Sequence, residues 1–244
     1  MSTAVEPAEP ASSADRRAGG LRATWPLEWR DAFTLLAWFV GLTAVGVAVG
    51  LLLTGPLDGS AVTRTDEAVS RWFADGRTPT LDDVTWVGSM LADTVVKIVV
   101  TAVVAVVMLA VWRSWREPVA VVLALVLEAT TFVVVTAIVR RPRPDVVRLE
   151  GSPIDSSFPS GHTAAAAAYG AIVVVVWWRT DRQWIRVASA VAVVLVVVFV
   201  GASRAYRGMH HGLDVVAGAA LGAVAVAVVA RLLSRRPTEE LAAR

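Results

Sequence analysis

The sequence predicts an all-α membrane protein, a polytopic bundle of about six transmembrane helices. Of the 244 residues, 56% are hydrophobic and the mean hydropathy is +0.61, which is more apolar material than one soluble core needs. The apolar residues fall into long runs, and about 20 such residues cross a bilayer core of about 30 Å. The net charge of +2 and the scattered basic residues exclude a nucleic-acid partner. The expected partners are the lipid bilayer and a membrane lipid, and the oligomeric state stays open.

The predicted spans occupy residues 33–53, 94–111, 118–139, 162–178, 187–202 and 213–233. They form one membrane domain over residues 25–234, flanked by a disordered tail over 1–24 and a short tail over 235–244. Gly46 and Gly50 in the first span, and the alanines of 164–168 in the fourth, predict close helix packing. The amphipathic run 65–74 is expected to lie on the membrane surface.

Positive charge predicts the orientation of the spans. Arginines are concentrated in the N-terminal tail, in the turns 112–117 and 179–186, and at the C-terminus, which all fall on one side. Because cytoplasmic segments carry the excess of basic residues, this side and both termini are predicted to be cytoplasmic. The segments at the opposite ends of the spans are then extracytoplasmic.

Three polar segments, residues 140–144, 159–162 and 203–214, lie at span ends on that opposite side. They combine arginines, a serine, a glycine and a helix start, which suit a tetrahedral oxyanion because guanidinium forks and free N–H groups both donate to oxygen. Ser160 is predicted to cap the helix and to bind the anion, while Gly161 lets the backbone come close. The segments also contain all the histidines of the chain, His162, His210 and His211.

The histidines supply the predicted reactive groups. His210 and Asp214 are four residues apart, so on a helix the carboxylate can accept from one ring nitrogen and leave the other free to attack phosphorus. His211 has Val215 at the same spacing and is the weaker candidate. His162 is the natural general acid, since imidazole titrates near neutral pH. The chain has no cysteine, and several cations beside one clear carboxylate do not favour a metal or another cofactor.

These motifs resemble those of the type 2 phosphatidic acid phosphatase family, whose site is also similar to that of vanadium haloperoxidases. The family pattern reads K-x6-RP, PSGH and SR-x5-H-x3-D, and the chain matches the second block at 159–162 and the third from Ser203 to Asp214. The resemblance covers about residues 90–233 and implies a six-span helical core. It implies that His162 is the general acid, that His210 forms a phosphohistidine and that Asp214 orients it. The phosphate ligands it implies are Arg143, Arg204, Ser160 and Gly161.

One position departs from the family pattern. Where the family has the lysine of its first block, this chain has Thr136, which cannot supply an ammonium. We hypothesise that Arg140, within a turn of the motif, replaces that lysine. Lys97 follows Asp93 by four residues, a spacing that indicates a helical ion pair or a lysine at the membrane edge more than a phosphate ligand.

Glu128 lies near the middle of the third predicted span. An intramembrane carboxylate is a functional candidate by default. Glu128 can equally make helix–helix hydrogen bonds, with Thr130 and Thr131 nearby, and the sequence leaves both interpretations open.

The sequence thus predicts an integral-membrane, metal-independent phosphatase that removes phosphate from an amphiphilic phosphomonoester or diphosphate. Phosphatidate-type lipids and polyprenyl phosphates or diphosphates both stay open as substrates. The main alternative is a catalytically weakened membrane protein that binds or transports a phosphorylated lipid, with Thr136 marking the loss. A vanadate-dependent oxidase and a charged channel are weaker alternatives, because six spans disfavour the first and the spans carry too few charges for the second.

Overall fold

The structure is a computed structural model and describes residues 25–152 and 154–234. The tails predicted over 1–24 and 235–244 lie outside the described residues. The described part contains nine α-helices and no β-strand. The helices are α1 (Trp29–Thr54), α2 (Ala61–Asp75), α3 (Pro79–Met90), α4 (Thr94–Trp112), α5 (Arg116–Val139), α6 (Gly161–Ala168), α7 (Gly170–Arg179), α8 (Gln183–Tyr206) and α9 (Gly212–Ser234).

Six membrane-spanning units are present among these helices, which confirms the predicted all-α bundle. By length and composition they are α1, α4, α5, α6 joined to α7, α8 and α9. The joined pair is one span, Gly161–Arg179, interrupted only at Tyr169. In their most hydrophobic windows α1 and α4 are only 6% buried whereas α5 is 44% buried, so α5 lies inside the bundle and the other two face lipid.

Small residues let the spans approach closely, as predicted. At Gly50 an added Cβ atom would lie 2.5 Å from the side chain of Val139, so α1 packs directly on the end of α5. At Gly222 it would lie 2.2 Å from the carbonyl oxygen of Ala164, and the buried alanines of α6 face α9. This contact holds α6 against α9, the two helices whose starts carry the polar segments 159–162 and 203–214.

The end of α5 follows from its local sequence. Arg140 adopts a left-handed conformation with φ of 49°, which ends the helix. Pro142 and Pro144 cannot continue a helix, and each disfavours helical geometry in the residue before it. The chain therefore leaves α5 as an extended segment that carries Arg141 and Arg143 in opposite directions.

Two short helices, α2 and α3, cover this end of the bundle between the first and second spans. Ser60 caps α2, and Thr78 caps α3 with Pro79 in its first turn. The segment predicted to lie on the membrane surface is helical, but its buried face, with Asp66 and Ser70, contacts protein and packs on α8 and α9. α2 is therefore part of the wall around the polar segments.

Candidate active site

The three polar segments meet at one end of the bundle, around a cavity of about 500 Å³. The loop after α5, the first turn of α6 and the junction between α8 and α9 each contribute to its wall. Of the predicted site residues, the cavity is lined by Arg143, Gly161, His162, Arg204 and His210. Residues outside the motifs complete the wall, among them Trp86, Ser89, Met90, Val95, Lys97, Phe132 and Glu150.

Backbone hydrogen bonds hold the three segments together. The N–H of Ser157 donates to the carbonyl oxygen of Arg141 at 2.8 Å, and the N–H of Ser160 donates to that of Asp214 at 2.9 Å. Gly208 turns the chain out of α8 with a φ of 70°, a conformation that glycine adopts without strain. This turn brings His210 back to the segment that precedes α6.

His210 is the more deeply buried histidine of the cavity, with 4% of its surface exposed. Its Nδ1 lies 2.6 Å from the carbonyl oxygen of Ser157. Because a carbonyl oxygen only accepts hydrogen bonds, Nδ1 carries the ring proton and Nε2 keeps its lone pair. Burial, together with the positive charge of Arg204, lowers the pKa of His210 to about 3. The imidazole is therefore neutral at physiological pH, as a nucleophile must be.

Asp214 does not hydrogen-bond His210, so that predicted contact is wrong. Its Oδ2 accepts from the backbone N–H of His211 at 2.8 Å and lies 3.2 Å from the ring Nδ1 of that residue. α9 begins only at Gly212, so His210 lies outside the helix and the four-residue spacing does not apply. Asp214 instead reaches back to the residue before the helix, as the acidic partner of a capping box does.

Arg141 and His211 connect this carboxylate to α2. The Arg141 guanidinium donates to Asp214 Oδ1 at 2.5 Å and to Asp66 Oδ2 at 2.9 Å. His211 Nε2 lies 3.0 Å from Glu67 Oε2, so His211 has two acidic partners that the sequence did not indicate. The pKa of Arg141 lies above the usual value. Burial by itself would lower it, but the negative charges of Asp214 and Asp66 outweigh burial. We call these five residues the acidic network.

Two arginines face the cavity with part of their donors in use. Arg143 donates to the carbonyl oxygen of Met209 and, through Nη2, to Ser152 Oγ at 2.8 Å. Arg204 donates through Nη1 to Ser89. The Nε atoms of Arg143 and Arg204 are buried and have no hydrogen-bond partner in the described part of the chain. Burial and the charge of Arg204 lower the pKa of Arg143 to about 10, so both side chains stay positive.

Glu150 is a cavity residue that sequence reasoning missed. Its carboxylate accepts from Arg204 and Arg207, and from Ser89 Oγ at 3.0 Å. The pKa of Glu150 lies below the usual value. Burial by itself would raise it, but Arg204, the Ser89 hydroxyl and Arg207 stabilise the carboxylate and outweigh burial. Glu150 lies in an irregular loop with no motif around it, and its ionic partners lie at the end of α8. No sequence pattern therefore identifies it.

The PSGH segment divides its residues between structure and cavity. Ser160 caps α6 as predicted, accepting from the N–H of Thr163 at 3.4 Å, but it is fully buried and outside the cavity lining. The geometry therefore does not support Ser160 as an anion ligand. Gly161 lines the cavity, and an added Cβ atom there would lie 2.8 Å from the ring of Phe132. His162, half-buried, presents the second imidazole.

The hypothesis that Arg140 replaces the family lysine is contradicted by its position. Arg140 is exposed, its Nε donates to the carbonyl oxygen of Ala137 at 3.1 Å, and it does not line the cavity. Its left-handed backbone at the end of α5 points the side chain away from the bundle interior. Thr136 is buried, and its hydroxyl has no hydrogen-bond partner among the described residues.

Lys97 lines the cavity and pairs with a residue other than the one predicted. Its Nζ lies 3.8 Å from Oε2 of Glu128. Asp93, the predicted partner, instead caps α4 by accepting from the N–H of Val95 at 2.9 Å. The hydroxyls of Thr130 and Thr131 bond to backbone carbonyl oxygens of α5 and not to Glu128.

The described residues contain no group of three or more histidine, cysteine, aspartate and glutamate side chains that could hold a metal ion. Two carboxylates near the histidines are already engaged by guanidinium groups, Glu150 by Arg204 and Asp214 by Arg141. Their surroundings are therefore those of an anion site, in which positive side chains outnumber free acceptors.

Comparisons with known proteins give a family match and a curated relative. The model of the PAP2 superfamily matches residues 117–237. A curated relative, the bacitracin transport permease protein BcrC of Bacillus licheniformis, is 36% identical over 86 residues, which are 35% of this chain. The match spans only 38% of the length of that relative.

Two solved structures have similar folds. A PAP2-type phosphatidylglycerolphosphate phosphatase from Bacillus subtilis superposes with a TM-score of 0.67 at 22% identity, covering 84% of this chain and 96% of its own. LpxE of Aquifex aeolicus superposes with a TM-score of 0.53 at 25% identity, covering 67% of this chain and 93% of its own. The first likeness is in fold alone, and it extends over nearly the whole of that enzyme.

Proposed function

Because the chain belongs to the PAP2 superfamily, whose members are phosphatases, we propose that it hydrolyses a phosphomonoester or diphosphate of an amphiphilic lipid through a phosphohistidine intermediate. One observation carries the proposal. In a cavity lined by Arg143 and Arg204, the neutral His210 is held by the Ser157 carbonyl so that its unprotonated Nε2 is available. We expect a tetrahedral phosphate bound by the two guanidinium groups to lie within reach of that nitrogen, because all three side chains line one cavity.

In the first step, Nε2 of His210 attacks phosphorus and the bond from phosphorus to the lipid oxygen breaks. His162 donates its proton to that oxygen, which leaves as the lipid alcohol or, from a diphosphate, as the lipid monophosphate. The negative charge of the bound phosphate favours the imidazolium form of His162 that this step needs. The Ser157 carbonyl stabilises the positive charge that develops on the attacking ring.

In the second step, His162 accepts a proton from water, and the water oxygen attacks the phosphohistidine. The phosphorus–nitrogen bond breaks, inorganic phosphate leaves and His210 regains its neutral form. Arg143 and Arg204, which line the cavity, stabilise the charge on the phosphoryl oxygens throughout. No metal is needed for either step, since the charge is neutralised by side chains.

The lipid character of the substrate is supported by the other wall of the cavity. Trp86, Met90, Val95 and Phe132 line it on the side of α3, α4 and α5. α4 exposes apolar side chains along most of its length, so an acyl or isoprenoid tail that leaves the cavity here enters a lipid-like environment. Phosphatidate-type and polyprenyl substrates both satisfy these conditions. With the termini cytoplasmic, the site faces the extracytoplasmic side.

The test is release of inorganic phosphate by purified protein from a panel of short-chain phosphatidate, polyprenyl phosphate and polyprenyl diphosphate, with and without a chelator. We expect hydrolysis of at least one substrate, undiminished by the chelator and absent from His210→Ala. An acid-labile phosphoprotein should be trapped with wild type only. Equal phosphate release by wild type and His210→Ala would contradict the proposal, and loss of activity on chelation would contradict its metal-free form.

The second candidate is a protein that binds or transports a phosphorylated lipid without hydrolysing it. It is favoured by Thr136 in place of the family lysine and by the name of the curated relative, which is called a transport permease. Movement of a labelled lipid phosphate across the bilayer of reconstituted vesicles, by both wild type and His210→Ala and without phosphate release, would support this candidate.

A further inference from the structure

Lys97 is the only lysine of the chain, and it stands in the first turn of α4 at the wall of the cavity. Its side chain is 18% exposed, so the ammonium is neither free in water nor sealed in the bundle. His162 lines the same cavity. No motif identifies Lys97, because α4 contributes none of the three polar segments.

A count of hydrogen-bond donors separates Lys97 from the two arginines. The Arg143 guanidinium donates three hydrogen bonds to protein oxygens. Arg204 donates from Nη1 to Ser89 and to Glu150. The Lys97 ammonium makes no hydrogen bond of 3.5 Å or less in the described ranges. An ammonium has three N–H donors, and here all three are available to a ligand in the cavity.

Glu128 explains why this ammonium stays where it is. The carboxylate is fully buried in α5, and neither oxygen has a hydrogen-bond partner among the described residues. Its separation of 3.8 Å from Lys97 Nζ exceeds the roughly 2.7–2.9 Å of a charge-assisted hydrogen bond. The pair therefore attracts without consuming donors, and Glu128 draws the ammonium to the cavity wall while leaving its N–H groups free.

We propose that Lys97 is the third phosphate-binding cation of this site and that Glu128 is the residue that positions it. The inference deepens the proposed function and rests on it. Lys97 supplies from α4 the charge that Thr136 cannot supply from α5, and its ammonium contacts a phosphoryl oxygen from the α4 wall of the cavity. The site so completed takes a phosphate with three cations, Arg143, Arg204 and Lys97.

The plain alternative is an ion pair that only joins α4 to α5 inside the membrane. Both interpretations expect Lys97→Met to change the protein, so stability alone does not separate them. They differ for the double variant Lys97→Met with Glu128→Gln, which leaves no uncompensated charge. If the ion pair is only structural, this variant should recover both stability and activity. If Lys97 is a phosphate ligand, the variant should recover stability only.

The experiment measures kcat/KM, inhibition by inorganic phosphate and thermal unfolding in detergent for wild type, Lys97→Met, Lys97→Arg and the double variant. We expect Lys97→Met to lower kcat/KM by about 10²-fold, as for loss of one preorganised donor, and to weaken phosphate inhibition. Lys97→Arg, which keeps the charge, should recover part of the loss. Adding Thr136→Lys to Lys97→Met should raise kcat/KM at least about tenfold above that of Lys97→Met, because it restores a cation from α5.

The role of Glu128 is tested by Glu128→Asp and Glu128→Gln. We expect Glu128→Gln to raise KM more than it lowers kcat and to weaken phosphate inhibition, and Glu128→Asp to restore both. A Lys97→Met variant with wild-type kcat/KM and phosphate inhibition overturns the inference and leaves the proposed function intact. If wild type neither hydrolyses any substrate nor is stabilised by inorganic phosphate, the proposed function fails and this inference fails with it.

Discussion

His210 and His211 are adjacent in sequence and lie in opposite electrostatic environments. His210 faces the cavity, beside Arg143 and Arg204, and its one direct hydrogen-bond partner among the described residues is the Ser157 carbonyl. His211 faces the acidic network and lies between Asp214 and Glu67. The surroundings of the first histidine keep it neutral, as the proposed nucleophile must be, whereas the second lies between two carboxylates.

The difference shows how a shift of two residues in a helix boundary decides a site. If α9 began two residues earlier, His210 and Asp214 would share a face of it; beginning at Gly212, the helix leaves Asp214 to cap and to bind Arg141. The proposed nucleophile, His210, then has a backbone carbonyl as its hydrogen-bond partner. We propose that Asp214 acts on catalysis only through the loop that it holds in place.

The largest effect is expected from substituting the two histidines in turn. His210→Gln removes the attacking nitrogen and should lower kcat by at least about 10⁴-fold, while a quenched-flow search finds no phosphohistidine. His211→Gln removes hydrogen bonds worth about 1 kcal/mol each and should cost less than about tenfold in kcat/KM. Both proteins should bind inorganic phosphate. Comparable losses in the two variants would show that the assignment of roles to the pair is wrong.

The next effect concerns the acidic network. Asp214→Asn leaves the buried Arg141 with one carboxylate, and breaking such a pair costs about 3–5 kcal/mol of stability. We expect a lower unfolding temperature together with reduced activity, and the same pattern, weaker, in Asp66→Asn. If Asp214 contacted His210 directly, the opposite result would be expected. Asp214→Asn would then be inactive with normal stability, and Asp66→Asn would have normal activity. Thermal unfolding and steady-state kinetics on the same samples decide between them.

The fold was predictable because the bilayer imposes it. A span needs about 20 apolar residues, and the runs that contain them are visible without knowledge of any contact. Close packing at Gly50 was predictable for a similar reason, since small residues in a span have few other uses. What hydropathy could not show was α3, which is too polar to be a span and is fixed by a Thr78–Pro79 start and by packing on α8.

The site was predictable only as far as its motifs extend. Spacing located His162, Arg204 and His210, which the structure places around one cavity. The Ser157 carbonyl was invisible because every residue has one, and only the fold selects it. Glu150 was invisible because its contacts join a loop to a helix more than 50 residues away, as the Arg204 bond with a separation of 54 shows. Local patterns carry no information about such pairs.

The burial of His210 should also couple the stability of the protein to pH. His210 has a pKa of about 3 in the folded protein against 6.5 when unfolded, so between these values the unfolded chain binds a proton that the folded chain does not. Stability is therefore lost as pH falls from 6.5, by at most about 1.4 kcal/mol per pH unit. As pH is lowered from 7 to 4, the unfolding temperature should fall less steeply in His210→Gln than in wild type. Identical slopes in the two proteins would contradict a buried neutral His210.

The smallest effect is expected from substitution of Arg140. It is the neighbour of Arg141, and the end of α5 turns the two side chains in opposite directions. Arg141→Ala leaves Asp66 and Asp214 buried without their cation and should unfold at a much lower temperature. Arg140→Ala removes only an exposed side chain and should change stability by less than about 0.5 kcal/mol, with kcat/KM within about twofold of wild type. A larger loss of activity in Arg140→Ala would return Arg140 to the phosphate site and remove the need for Lys97.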